Sequence, residues 1–361
     1  MKYFLYGYFG YDNLGDDLLL KTIIKEIEKK DDKAFFYVKS FNEVEIINQD
    51  NVCFTKVEQI LSSNNNKILK VLHYLKRNFF YLKKSDYLII GPGGLFIDKG
   101  KFSFSILFLF LFTVYSKWKH KKIVIMGISF DIVAEFKNLF LMKNIFKMAN
   151  FISVRDSLSF SYIKYFQSKN SIKSIDILFS NSSDYKKEIV KEQKNKVGIC
   201  FIDYYSNYEN NYRKKEIFCK KIYNEIVENN DKKFTYISLQ SSKGLDDDFI
   251  YNYLKEKKIN IDYLCLNEDN IYLLNQFEYI ISMRYHLAIF SLIFNKKILV
   301  INHEIKMASL DIDFKLSSVF IDDFFYEKNI FKNFFDNSNR INIKNIKALQ
   351  KIAKDNFRWL K

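Results

Sequence analysis

The chain has 361 residues and a formal net charge of +15. This length predicts two domains. The lysines are spread along the whole chain without a helix-turn-helix, zinc-finger or RNP pattern, which favours anionic substrates or an anionic membrane face over nucleic acid. Four cysteines lack C-x-x-C spacing, which favours buried, reduced thiols over disulfides or zinc. They are Cys53, Cys200, Cys219 and Cys265.

The expected location is the cytoplasm, either free or at the inner face of the membrane. Met1 opens directly onto a strand-like run, so no signal peptide is expected. The most apolar stretch, 104–115, is shorter than the ~20 residues that a spanning helix needs. We interpret it as a buried helix, with a monotopic membrane contact as the alternative.

Short β-type runs alternate with amphipathic helical segments along the chain. The predicted strands of the first half are 2–7, 34–38, 86–90, 123–127 and 151–155, and the predicted helices are 16–29, 67–82, 104–115, 135–148 and 157–167. A polar stretch, 180–196, is the best linker candidate. Beyond it lie predicted strands 197–203, 233–239, 261–266, 279–283 and 297–302, and predicted helices 213–229, 246–257, 269–277, 285–295 and 343–360.

This alternation is typical of mostly parallel sheets covered on both faces. Two such sets separated by a polar break predict two doubly wound α/β domains, at 1–185 and 196–342, followed by a C-terminal helix at 343–361. Ligands of this architecture bind beyond the carboxyl ends of the strands. We therefore expect the two domains to face each other across a cleft that holds the ligand.

The loop Gly7–Asp17 follows the first strand and is built to hold an anionic ligand. Its glycines allow sharp turns and close backbone approach, and the following helix start attracts anions. The spacing matches neither G-x-G-x-x-G nor a Walker loop, so dinucleotide and P-loop sites are not indicated. Asp16 either caps the helix or acts as a general base, and the sequence leaves both roles open.

A second glycine loop, GPGGLFID at 91–98, also follows a predicted strand. The ordinary explanation is a tight turn between a strand and a helix. Because it lies at the same edge of the same predicted sheet as the first loop, its glycines are also candidates for ligand contact.

Arg155 and Arg284 each end a predicted strand, one in each domain. Arginine binds carboxylate or phosphate in a bidentate manner, so the pair could clamp a small anion with two charged groups. His286, beside Arg284, could donate to a phosphate or shuttle a proton, although a structural role is the alternative. The other histidines lack such neighbours, and no pair has metal-ligand spacing, so no metal site is predicted. They are His73, His120 and His303.

In this order the motifs resemble the polysaccharide pyruvyl transferase family. The matching segments are GYDNLGDD (10–17), GPGGLF-x-D (91–98), SVRD-x-x-S (153–159), IDILF (175–179), SMRYHLAIFSL (282–292) and INHEIK (301–306). The resemblance spans about Met1 to Leu310. It implies a fold like that of GT-B glycosyltransferases, with phosphoenolpyruvate as the donor and no cofactor besides. The product would be a pyruvyl ketal on a sugar of a surface polysaccharide or its precursor.

The resemblance also implies residue roles. The family associates an early arginine and an Arg-x-His motif with donor binding, which carries over to Arg155, Arg284 and His286. We hypothesise that His286 acts as the acid or binds phosphate, that Asp16 is the base and that Lys306 is a supporting cation. The remaining substrate-binding candidates are Gly10, Asn13, Gly15, Gly93 and Gly94. The first domain is then the acceptor side, and the second is the donor side.

Two other functions fit the same sequence. One is a GT-B glycosyltransferase that uses a nucleotide sugar, which would share the fold and the basic strand ends. The other is a non-catalytic protein that binds anionic glycans. The expected partners are phosphoenolpyruvate, a free or lipid-linked saccharide and the surface of an anionic membrane, with no nucleic acid. The sequence departs from the family pattern at Pro92, at Asp17 and in the segment 127–130, which bears on the acceptor pocket.

Overall fold

The computed structural model describes the chain except residues 57–66, 99, 131–132, 167–169, 187, 189, 241–247, 341–345 and 361. The chain divides into two compact units, one of Met1–Asn181 with Lys347–Lys361 and one of Ser182–Ile346. The division after Asn181 lies inside the polar stretch 180–196. Each unit contains a parallel sheet whose strands alternate with helices, which confirms the predicted α/β fold of two doubly wound domains.

The first unit contains an eight-stranded parallel sheet in the described residues. Its strands are β1 Lys2–Phe9, β2 Phe35–Ser40, β3 Val52–Phe54, β4 Tyr87–Ile90, β5 Gly93–Phe96, β6 Lys122–Phe130, β7 Phe151–Val154 and β8 Ser171–Lys173. Its helices are α1 Leu14–Glu28, α2 Lys67–Lys84, α3 Phe104–Trp118, α4 Phe136–Met148 and α5 Ser157–Tyr165. The strand order is β3-β2-β1-β4-β6-β7-β8, with β5 paired to β6.

The central strands of this sheet are continuous apolar runs because both of their faces are buried. Leu5 of β1 pairs in register with Val38 of β2 and Ile89 of β4, and all three side chains are buried. The apolar helix α3 buries Ile106 among others in this core, but its first residue, Phe104, is 64% exposed. The helix is therefore only partly buried. In the described part of the chain, no helix is long and apolar enough to cross a membrane.

The C-terminal segment packs on the first unit. It consists of a helix, Ile346–Lys354, and a short 3-10 turn. The buried Asn356 amide donates to Ser174 Oγ at 2.9 Å and to the Ile175 carbonyl at 3.0 Å. Trp359 contacts the ring of Tyr3 edge-on at the start of β1. The last residues thus close one end of the first sheet.

The second unit contains a six-stranded parallel sheet in the order β11-β10-β9-β12-β13-β14. Its strands are β9 Lys196–Cys200, β10 Lys233–Ser238, β11 Asp262–Cys265, β12 Tyr279–Ser282, β13 Lys297–Asn302 and β14 Ser317–Phe320. Its helices are α6 Tyr212–Glu228, α7 Phe249–Glu256, α8 Tyr285–Ile293, α9 Ile305–Phe314, α10 Asp323–Tyr326 and α11 Ile330–Asn337. The C-terminal helix Ile346–Lys354, which packs on the first unit, is α12. The strand order reverses between β9 and β12, where open α/β sheets bind ligands.

Several short elements were not predicted because a few residues carry no readable periodicity. Residues 93–96, expected to be loop, form β5, and the expected helix at 269–277 is a 3-10 helix, Ile271–Gln276. The beginnings of the helices predicted at 246 and 343 lie outside the described residues. All four cysteines are described and are free thiols, but only Cys200 and Cys219 are buried.

Candidate functional site

Three neighbouring strands of the second unit, β9, β12 and β13, deliver polar side chains to one edge of the sheet. Tyr204 follows β9, Arg284 follows β12 and His303 follows β13. The rings of Tyr204 and His303 meet edge-on, with their centroids 5.7 Å apart. Parallel strands place their carboxyl ends together, so this edge gathers residues that are distant in sequence.

Arg284 lies at the N-cap position of α8, in extended conformation. Its backbone N–H donates to Ser282 Oγ at 2.9 Å, and the same hydroxyl donates to the Arg284 carbonyl at 3.0 Å. This turn fixes the backbone from which the guanidinium projects. His286 follows in the first turn of α8 with its side chain largely buried, and its ring meets that of Tyr285 edge-on.

The turn after β13 holds His303, Glu304 and Lys306 together. Glu304 forms an ion pair of 2.5 Å with Lys306 and lies 3.6 Å from His303 Nε2. Burial raises the pKa of Glu304, but Lys306, His303 and Arg284 together hold it below its ordinary value. Burial lowers the pKa of His303 to about 4, with Glu304 acting in the opposite direction. At neutral pH this site therefore contains an ionised Glu304 and a neutral His303.

This edge suits a small anion. Arg284 and Lys306 supply positive charge, Glu304 offsets part of it, and α8 and α9 both begin here with their N-termini. Sequence reasoning selected Arg284, His286 and Lys306, but it set His303 aside and overlooked Glu304. Both follow the apolar run KILVIN directly, so their position at a strand end was the signal that could have identified them.

In the first unit, hydrogen bonds between polar groups of the same segment hold the loop after β1 in place. Asn13, not Asp16, is the N-cap of α1 and accepts a hydrogen bond from the Gly15 N–H at 3.1 Å. The capping role considered for Asp16 is therefore wrong, and this residue lies half-buried in the first turn of the helix. Asp17 accepts a hydrogen bond from the Gly10 N–H at 3.1 Å, across the loop.

Two features of this loop follow from its tight packing. Gly10 has φ +73, and a Cβ there would come within 2.4 Å of the Asn42 carbonyl oxygen, so only glycine fits. Burial raises the pKa of Asp17 to about 6, with Asp12 and Glu45 acting in the same direction and the Gly10 N–H opposing them. Asp17 is thus a carboxyl group of this loop whose pKa lies near the range that suits a general base.

The second glycine segment differs from expectation. Gly93 begins β5 with φ +103, and no atom lies within 4 Å of where its Cβ would be. At Gly94 a Cβ would meet only the Ile97 side chain, at 3.6 Å. There is therefore space beside these two glycines, although Gly93 itself is buried, and their substrate-binding role stays a prediction.

Arg155 is held inside the first unit, with its side chain 3% exposed. Its Nη1 forms an ion pair of 2.9 Å with Asp176 Oδ2, and its Nε and Nη2 both donate to Ser129 Oγ. Asp176 in turn accepts a hydrogen bond from the Leu178 N–H at 3.0 Å. These contacts connect the end of β7 to the segment that precedes the domain division. The predicted donor contact of Arg155 stays a prediction beside this internal role.

A cavity of about 330 Å³ opens in the first unit beside the loop after β1. The predicted loop residues Gly10, Asn13, Gly15 and Asp16 do not line it, although Gly7 does. Its polar walls come from β1, the loop, β2 and α2. They are Tyr6, Tyr8, Tyr11, Lys39, Lys70 and Tyr74, and Ser105 of α3 adds one further polar side chain. Burial lowers the pKa of Lys39 to about 8. Among the described residues, no cluster of His, Cys, Asp or Glu is placed to hold a metal ion.

The chain has a GT-B-like fold of two α/β units. It resembles UDP-GlcNAc 2-epimerase from Methanocaldococcus jannaschii, at 10% identity and a TM-score of 0.59, over 98% of this chain and 99% of that one. It also resembles the putative UDP-N-acetylglucosamine 2-epimerase from Listeria monocytogenes, at 8% identity and a TM-score of 0.63, over 98% and 91%. A third similar structure is WaaG, a glycosyltransferase involved in lipopolysaccharide biosynthesis, at 12% identity and a TM-score of 0.53, over 98% and 99%.

A comparison of sequences identifies the family within this fold. The sequence profile of the polysaccharide pyruvyl transferase family matches residues 13–304, and the chain belongs to that family. This confirms the resemblance seen in the motifs, and it makes the protein a transferase rather than a non-catalytic glycan-binding protein. No curated protein is significantly similar to the chain in sequence.

Proposed function

We propose that the protein transfers the pyruvyl group of phosphoenolpyruvate to a sugar of a surface polysaccharide or its precursor, forming a ketal. The observation that carries this proposal is the basic edge of the second unit, where Arg284 and Lys306 accompany the neutral His303. Phosphoenolpyruvate carries a carboxylate and a phosphate, and such groups are bound by arginine, by lysine and by helix N-termini. The second unit is then the donor side.

The chemistry needs an acid, a base and a stabilised leaving group. Protonation of the methylene carbon gives an oxocarbenium-like centre, which one sugar hydroxyl attacks while a base accepts its proton. Departure of inorganic phosphate and attack by a second hydroxyl complete the ketal. We assign the acid or phosphate-binding role to His286, the supporting cation to Lys306 and the base to Asp16. Asp17 is a second candidate base, because its pKa is raised to about 6.

Replacing Arg284 by alanine should weaken phosphoenolpyruvate binding about 10- to 100-fold, the range expected when a hydrogen-bonded charged partner is lost. Titration calorimetry and thermal unfolding with the ligand measure this loss. The control is Arg213→Ala, which removes an exposed arginine of α6 in the same unit. Unchanged affinity in Arg284→Ala would contradict the donor assignment.

The same thermal unfolding assay distinguishes phosphoenolpyruvate from a nucleotide sugar as the donor. The structurally similar UDP-GlcNAc 2-epimerase from Methanocaldococcus jannaschii has been solved in complex with UDP-GlcNAc and UDP, so a nucleotide-sugar donor is the alternative that must be tested. We expect phosphoenolpyruvate to stabilise the protein and UDP-N-acetylglucosamine or UDP to leave the unfolding temperature unchanged. The reverse result would replace the pyruvyl donor by a nucleotide sugar.

We also propose that the enzyme contacts an anionic membrane through α2 and the start of α3. Ile68 and Leu72 of α2 are 71% and 56% exposed, and Phe104 of α3 is exposed as well. Exposed lysines such as Lys76 also lie on α2. Apolar side chains accompanied by lysines are typical of helices that lie in the interface of an anionic bilayer. This supports work at the inner face of the cytoplasmic membrane.

The double substitution Ile68→Ser/Leu72→Ser should reduce binding to phosphatidylglycerol vesicles at least tenfold, because each buried side chain of this size contributes about 1.5–3 kcal/mol. Co-sedimentation measures the bound fraction. The control is Tyr326→Ser, which removes another strongly exposed apolar side chain, in the second unit. Equal loss in both variants, or no binding by the wild type, would exclude this surface.

A further inference from the structure

The cavity of the first unit that is lined by Lys39, called the Lys39 cavity below, is not used in the proposed donor chemistry. It is the strongest remaining candidate for a binding site. Its volume of about 330 Å³ lies at the lower end of the range of about 300–1,000 Å³ found for small-molecule pockets. Its walls include Tyr6 and Gly7 at the carboxyl end of β1. This is the edge at which β1 and β4 meet and the strand order reverses, where sheets of this kind bind ligands.

The charge of the cavity is positive. Lys39 is 4% exposed, and Lys70 of α2 adds a second, half-buried lysine. None of the described residues that line the cavity is acidic. A lysine in such a buried position is unusual in proteins. The composition of the walls favours a ligand with negative charge.

The remaining walls are aromatic and carry hydroxyl groups. Lys39 Nζ lies 5.5 Å from the ring centroid of Tyr6, 5.7 Å from that of Tyr8 and 5.6 Å from that of Tyr11. The hydroxyls of Tyr6 and Tyr74 form a buried hydrogen bond of 2.6 Å, so two polar groups are already fixed at the wall. Tyrosine combines an apolar ring face with a hydroxyl that both donates and accepts. Such a surface matches a sugar, which has apolar C–H faces and a rim of hydroxyls.

We propose that this cavity binds a sugar that carries a phosphate group. The phosphate lies against Lys39 and Lys70, and the sugar ring packs on Tyr8 and Tyr11. Calling this sugar phosphate the acceptor rests on the proposed function, whereas the binding itself does not. If the sugar phosphate is the acceptor, the acceptor binds in the first unit. The sugar must then be attached to a phosphate before the pyruvyl group is transferred to it.

The test is titration calorimetry with four probes, the 1-phosphates of glucose, galactose, mannose and N-acetylglucosamine. We expect at least one to bind ten or more times more tightly than its unphosphorylated sugar and than inorganic phosphate. Lys39→Met should weaken this binding at least tenfold, and Tyr11→Ala should weaken it several-fold. The control is Lys83→Met, which changes an exposed lysine on the same helix as Lys70 and should bind as the wild type does.

The outcomes separate this proposal from the proposed function. If none of the four probes binds, if inorganic phosphate binds equally well or if Lys39→Met retains full affinity, the cavity is not a sugar-phosphate site. Phosphoenolpyruvate binding is measured on the same samples. Loss of sugar-phosphate binding with unchanged phosphoenolpyruvate affinity in Lys39→Met supports the cavity. Sugar-phosphate binding without phosphoenolpyruvate binding in the wild type would keep the cavity and overturn the donor.

Discussion

Replacing Asp176 by alanine should lower the free energy of unfolding by about 3–5 kcal/mol, the usual cost of breaking a buried ion pair by removing one partner. Arg155 and Asp176 have side chains 3% and 1% exposed and lie 2.9 Å apart. Without the carboxylate, the buried guanidinium keeps Ser129 Oγ but loses the negative charge of Asp176 that lies beside it. The substitution also removes the acceptor of the Leu178 N–H. Urea unfolding followed by circular dichroism measures the change.

The double variant Arg155→Met/Asp176→Leu is the informative control, because replacing both charges by apolar groups avoids the unpaired ion. It should be more stable than Asp176→Ala. A loss below about 1 kcal/mol in Asp176→Ala would mean that the pair is not buried as described here. If the double variant folds and still binds phosphoenolpyruvate as tightly as the wild type, Arg155 is a structural residue, and the donor is bound by the second unit alone.

The order of strands and helices could be predicted because buried parallel strands are long apolar runs, as in IVIMG and KILVIN. The same runs locate strand ends, and this is why Arg284 could be assigned to the carboxyl end of a strand. Lys306 was selected only through the family resemblance. The contacts of Arg155 could not be predicted, because Asp176 is 21 residues away and lies in no periodic element. A strand-end arginine looks the same in sequence whether its side chain contacts a substrate or a buried carboxylate.

The cavity also could not be predicted from sequence patterns. Lys39 occurs in the run FFYVKS, where a lysine near the end of a strand is ordinarily solvated. Only the packing of α2 and α3 beside β1 and β2 encloses it, and those contacts connect segments more than 25 residues apart. Asn13 illustrates a smaller limit. Both it and Asp16 are good N-cap residues, and the choice depends on the backbone of the preceding turn.

Replacing Lys39 by methionine should stabilise the protein by up to about 4 kcal/mol at pH 7 while weakening sugar-phosphate binding. Burial lowers the pKa of Lys39 from 10.5 to about 8, so at pH 7 the folded state holds a cation that the unfolded chain exposes to water. One pKa unit corresponds to about 1.4 kcal/mol, which gives this upper figure. Methionine has a similar length and carries no charge into the buried site.

The dependence on pH distinguishes this explanation from simple packing. Because the pKa of Lys39 is lower in the folded state, the destabilisation is complete below pH 8 and disappears as the pH rises towards 10.5. The stability difference between Lys39→Met and the wild type should therefore shrink between pH 8 and pH 10, as measured by urea unfolding at each pH. Lys70→Met, at the half-buried lysine of the same cavity, should show a smaller gain. A constant difference across this range would attribute the gain to packing, whereas a shrinking one would show that the buried charge of Lys39 destabilises the fold.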